Sequence, residues 1–175
     1  MCPQAVRPAR PSRPARPALR ASASALPSMA ALDHTHRRML EVLDELRTLI
    51  GHLDADGVDS AARASAATIC SFFADNARAH HAEEERLVFP GLLRDGDAEL
   101  VQDVLRLQQD HGWLEEDWLE LEPQLMAVAE GYSWYDIDLL RQAVDVFATL
   151  YSEHIALEEL RIYPEWRRRQ ATGEV

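Results

Sequence analysis

Residues 80–90 read HHAEEERLVFP, and residues 154–164 read HIALEELRIYP. Aligned without a gap, both begin with His and carry Glu at the fifth and sixth positions. Both end in an aromatic residue followed by Pro. A His and a Glu four residues apart share one face of an α-helix. The same phrase written twice therefore marks a helical unit used twice.

Each copy has a lone His upstream. His36 precedes His80 by 44 residues, and His111 precedes His154 by 43. Each half of the chain thus supplies one single His and then one His-x-x-x-Glu-Glu, the pattern of a duplicated helical hairpin. The apolar periodicity predicts four helices, over about 31–50, 59–94, 97–129 and 134–169. Gly51 is the expected C-cap of the first and Gly131 the stop of the third. Pro123 is expected to kink the third helix, and Pro90 and Pro164 to mark bends near the ends of the second and fourth. Short connections favour antiparallel neighbours, so the expected fold is all-α, an up-down-up-down four-helix bundle over residues 29–170.

Residues 1–28 are different in kind. They hold six Pro and five Arg and no acidic residue. Pro8, Pro11, Pro14 and Pro17 recur every third position, which forbids a helix and favours extended chain. This segment is read as a disordered tail, and it lacks the apolar stretch of a secretory signal.

The whole chain of 175 residues carries a formal charge of −12 and no Lys. Five of its 18 Arg lie in the tail, leaving 13 to face all 30 acidic residues. An acidic surface argues against a nucleic-acid partner and against an anionic membrane surface. No apolar run approaches the roughly 20 residues of a membrane span. Cys2 and Cys70 lie in unrelated contexts and form no ligand pair. Cys70, just before Phe72 and Phe73, reads as a small buried apolar residue in a reducing, cytoplasmic setting.

The inward stripes carry the chemistry. They read Leu32, His36, Met39, Leu40, Leu43, Leu46 and Ile50 in the first helix, and Ile69, Phe73, Asn76, His80, Glu84 and Leu87 in the second. They read Val101, Val104, His111, Glu115, Trp118 and Leu125 in the third, and Leu140, Val144, Phe147, Tyr151, His154, Glu158 and Ile162 in the fourth. Each helix sends one His into its apolar face, and Glu84 and Glu158 follow one turn on. Buried carboxylates need pairing or a metal. Two Glu bridging two cations, with four His outside them, is an arrangement these spacings allow. The mixed nitrogen and oxygen donors suit Fe or Mn and are compatible with Zn.

The order His, His-x-x-x-Glu, His, His-x-x-x-Glu, with aromatic-Pro after each Glu pair, resembles the hemerythrin-like HHE cation-binding domains. The resemblance covers about residues 30–167. It implies that His36, His80, His111 and His154 are nitrogen ligands, and that Glu84 and Glu158 bridge a non-haem di-iron site. The implied cofactor is two Fe ions joined by an oxo or hydroxo bridge, with Mn or Zn as alternatives. The implied partner is O2 or another small ligand. One departure stands out: the oxygen carriers of the family have a second His four residues after the third-helix His, and here that place holds Glu115. Glu115 enters as a seventh candidate metal ligand.

Other residues are set aside. His34 falls on the polar face and His52 in a turn, and His81, one step around from His80, is read as exposed. Tyr151 and Trp118 are assigned to the core, with Trp118 a candidate wall beside the metals. Glu85 and Glu159 are either hydrogen-bond partners of ligating histidines or solvated. No nucleophile motif, phosphate loop or dedicated substrate pocket is legible. The expected function is binding of O2 or a related small molecule, or sensing of iron or redox state. An oxidase or a peroxide- or NO-reactive enzyme, and a module with purely structural metal, are the alternatives.

Overall fold

The computed structural model describes residues 29–173, so the segment read as a disordered tail lies outside the described range. Helix α1 runs Met29–Ala55. The second rod joins α2, Ser60–Phe72, a π turn over Phe73–Ala77, α3, Arg78–Leu87, and α4, Phe89–Asp95. Helix α5 spans Ala98–Glu130. The last rod joins α6, Ile137–Leu157, a second π turn over Glu158–Ile162, and α7, Tyr163–Thr172. Helices α2 and α6 each pack against both α1 and α5, closing the four rods into a ring. This is the four-helix bundle that the duplicated hairpin predicts, with no strand among the described residues.

Aspartates start three of the rods. Asp59 accepts hydrogen bonds from the backbone of Ala61 and Ala62, Asp97 from Leu100, and Asp136 from Asp138 and Leu139. Each fills donors that the first helical turn leaves open. Gly131 stops α5 at φ +93°, with the Tyr132 N–H returning to the Ala127 carbonyl.

Gly51 does not cap α1, which runs on to Ala55. Leu53 beyond it is buried, and burying a Leu outweighs the roughly 1 kcal/mol penalty of a mid-helix Gly. Leu40 is 38% exposed, and Val42 and Leu49 take inward positions instead. Pro90 and Pro164 sit in the first turns of α4 and α7, where a missing N–H loses no partner. Pro123 stays inside α5 on an exposed position.

The core is layered along the bundle axis. One apolar cluster is built around Met39, Leu46, Ile69, Phe73, Leu121 and Phe147. A second holds Leu32, Phe89, Leu92, Val104, Ile162 and Tyr163. In every rod the inward His falls between a residue of one cluster and a residue of the other. The interior is therefore apolar, then polar, then apolar. Arg169 ties α7 across the second cluster, donating to the carbonyls of Gly91 and Asp95 at 3.0 and 3.1 Å.

Candidate metal centre

Two π turns set which residues face the polar layer. Ile69, Phe73, Ala77 and His81 are spaced four apart, and all are buried. In a regular α-helix each such step overshoots a full turn by about 40°, a drift of about 120° over three. The π turn at Phe73–Ala77, with its wider i→i+5 closure, absorbs the drift. His80 and His81 then both point inward, 4% and 9% exposed, whereas Asn76 is exposed. The second π turn begins at Glu158 and brings Ile162 and Tyr163 inside as well. A strict α-helical count puts His81 off the stripe, and the π turn brings it inside.

The cluster has two nitrogen groups around two carboxylates. His36 Nε2 lies 2.9 Å from His80 Nε2, and His80 Nε2 lies 3.2 Å from Glu84 Oε1. His36 Nε2 is also 3.2 Å from Glu158 Oε2. On the other side His111 Nε2 is 3.6 Å from Glu84 Oε2, and His154 Nε2 is 3.3 Å from Glu158 Oε1. Each carboxylate thus turns one oxygen to each nitrogen group. Donor atoms of His36, His80, Glu84 and Glu158 fall within 4.8 Å of one another, as do those of Glu84, His111, His154 and Glu158. His81 forms a third such group with His111 and His154.

Carboxylates behind the rings orient them. Glu85 Oε1 accepts from His111 Nδ1 at 2.9 Å, and Glu159 Oε1 lies 3.3 Å from His36 Nδ1. The second Glu of each repeated phrase therefore serves the lone His of the other hairpin. Holding the proton on Nδ1 leaves the Nε2 lone pair turned inward. Asp110, 1% exposed, sits 3.8 Å from His154 Nδ1. Sequence reasoning missed Asp110, whose only signal was its place beside His111. It also left Tyr163 as an unassigned aromatic. That ring stacks on His36 at 5.1 Å, and its hydroxyl donates to Glu84 Oε1. Phe89, its counterpart in the first phrase, stacks on His111 at 5.7 Å. Both repeated aromatics thus back a ring of the cluster.

Glu115 does not join this group. The inward residue after His111 is Leu114, 1% exposed, and Glu115 is exposed and paired with Arg78. At this point the stripe advances by three residues, and the side chain that gains from burial is the leucine. His81, from the neighbouring rod, is the fifth histidine of the cluster. Its ring stacks on His111 at 4.0 Å and its Nε2 lies 3.2 Å from the Tyr151 hydroxyl.

Electrostatics and hydrogen bonding fit a cation. Burial presses the Glu84 carboxyl upward, but the imidazoles of His111 and His80 beside it hold it well below the usual range. Burial and the charge of Glu84 push Glu158 well above that range. Burial pushes His81 down to about 2, so its ring is neutral and able to ligate. Glu84 Oε2, both oxygens of Glu158, His111 Nε2 and His154 Nε2 have no hydrogen-bond partner. Buried polar atoms are rarely left so, and shared cations satisfy all five. The Cys70 thiol, pushed up to about 11 by burial, stands outside the cluster.

A cavity of about 510 Å³ opens beside this layer, which the sequence did not lead one to expect. It is lined at its buried end by His81, His111 and Tyr151, and Trp118 forms part of its wall.

The ring of rods and its buried His/Glu layer define a metal-binding helical bundle. Residues 28–166 match the hemerythrin HHE cation-binding domain. The chain belongs to that family. It is similar to an uncharacterised protein of Haemophilus influenzae, with 29% identity over 124 residues, 71% of this chain and 70% of the relative. No solved structure matches the chain. No helix among the described residues is long and apolar enough to cross a membrane.

Proposed function

We propose that this chain is a non-haem di-iron protein that binds O2 or a related small molecule, or responds to iron and redox state. The observation that carries the reading is the split of each carboxylate, with one oxygen of Glu84 and of Glu158 toward each nitrogen group. Two cations sharing both carboxylates satisfy that arrangement. His36 and His80 would hold one, and His111, His154 and His81 the other. Five imidazoles and two carboxylates suit Fe, with Mn and Zn as alternatives.

Bound iron would supply reversible one-electron chemistry and open positions for a small ligand. The chain's own residues do the rest. Glu85 and Glu159 fix the His111 and His36 imidazoles from behind. Tyr163 holds its proton at Glu84 Oε1, and the Tyr151 hydroxyl faces His81 Nε2. The two apolar clusters exclude bulk water above and below the layer. The cavity gives a small molecule a route to the side formed by His81 and His111. A cytoplasmic setting suits the free, buried thiol of Cys70.

The test is an absorption spectrum of iron-loaded protein through reduction, O2 addition and evacuation. This reading expects visible and near-ultraviolet bands that bleach on reduction and change on O2 addition. A protein that is redox-silent, or that takes up only Zn, would exclude it. The cavity also favours one second reading, an oxidase or a peroxide- or NO-reactive enzyme. Catalytic turnover of peroxide or NO by the loaded protein would select that reading.

A further inference from the structure

The cavity is far larger than a diatomic ligand requires. A dry engineered cavity of about 150 Å³ already admits benzene, and pockets for drug-sized organic ligands span roughly 300–1,000 Å³. At about 510 Å³, this one falls in the second class.

Its wall is aromatic. Phe73, Trp118, Phe147 and Tyr151 all line it. Phe73 and Trp118 lie 4.7 Å apart, and Phe73 and Phe147 lie 5.3 Å apart, so these rings form one continuous surface. The solvent side carries charge. Glu85, Glu115 and Glu122 line the cavity against a single Arg78, which is already paired with Glu115. The rim is therefore net negative.

A glycine faces it. Gly112 lies inside α5 and lines the cavity, and a Cβ built there meets nothing within 4 Å. Its backbone does not need glycine, because φ is positive only at Gly57, Gly131 and Gly173 among the described residues. Glycine is a poor helix former, and neither packing nor backbone geometry explains it here. A large side chain at this position would enter the cavity.

From this cavity, its rim charge and Gly112, we propose that the chain binds a cationic aromatic molecule beside the metal layer. The rings of Phe73, Trp118 and Phe147 take the aromatic body, and the acidic rim takes the cation. The site is built from protein side chains and stands independently of which metal occupies the layer.

Calorimetric titration of the full chain, metal-free and metal-loaded, with tryptamine, indole and indole-3-acetate tests this. The three share one ring and differ in charge. Saturable one-to-one binding is expected, tightest for tryptamine and at least tenfold weaker for indole-3-acetate. Glu122→Gln should narrow the gap between tryptamine and indole. Gly112→Phe should weaken tryptamine at least tenfold while metal content holds. Gly112→Ala, which adds one methyl to open space, should raise the thermal midpoint and keep binding, separating cavity filling from misfolding. Absence of saturable tryptamine binding in both metal states would overturn the proposal. So would equal binding by Gly112→Phe, or tightest binding of indole-3-acetate. None of these results bears on the di-iron reading, because metal content is read separately.

Discussion

At the scale of single residues, the lone histidines depend on carboxylates contributed by the opposite hairpin. Glu85 sets His111 and Glu159 sets His36. Replacing either Glu with Gln keeps the size and loses the charge-assisted acceptor. Metal affinity is expected to fall roughly 10- to 100-fold with stoichiometry retained, read by competition with a chelator. Glu115→Ala should leave affinity unchanged, since Glu115 faces Arg78 and not the layer. The carboxylate pair also sets a pH dependence. Glu158 has its folded pKa raised, so its contribution to the metal-free fold is full below the ordinary carboxylate range and is lost as pH rises through the folded value. Glu84, held low, contributes above that range and loses its contribution only as pH falls through its folded value. A cation held by these carboxylates would compete with protons for them. The thermal midpoint gap between metal-loaded and metal-free protein should widen from about pH 5 to about pH 8. A gap that is flat or narrows over that interval would contradict a raised Glu158 carboxyl.

At the scale of elements, the π turns decide the site's membership. Removing the exposed Asn76 would let the Phe73–Ala77 turn close as regular α-helix. The deletion takes out the one extra residue that the wide turn accommodates, so His81 then falls within about 20° of Ile69 in a regular helix and keeps its inward register. His80, His81 and Glu84 should therefore stay in the layer, and metal content should hold in the deletion variant; loss of metal from a variant that stays helical by circular dichroism would contradict this account of the turn. The wide turns also explain what the sequence did and did not disclose. Regular helical counting was enough to bring His36, His80, Glu84, His111, His154 and Glu158 onto inward stripes. It could not reach His81 or Tyr163, because both lie inside only after a wide turn that no residue type announces. Glu115 was misplaced for a different reason. Steps of three and four were both open after His111, and the apolar Leu114 was the better inward candidate on burial alone. Gly51 misled in a similar way, since the stripe resumes at Leu53 beyond it.

At the scale of the molecule, the bundle holds a polar layer between two apolar ones, and each nitrogen-and-carboxylate group draws on both hairpins. His36 and His80 come from the first half and Glu158 from the second. His111 and His154 come from the second half and Glu84 from the first. Donor groups shared in this way tie the two hairpins into one site, and the proposed pair of cations would share Glu84 and Glu158. The most direct measurement is the ratio of metal to chain by elemental analysis, for the iron-loaded wild type beside His80→Ala and His154→Ala. Two irons per chain are expected in the wild type, with both variants losing stoichiometric metal. One metal or none in the wild type, or two retained in both variants, would contradict the account.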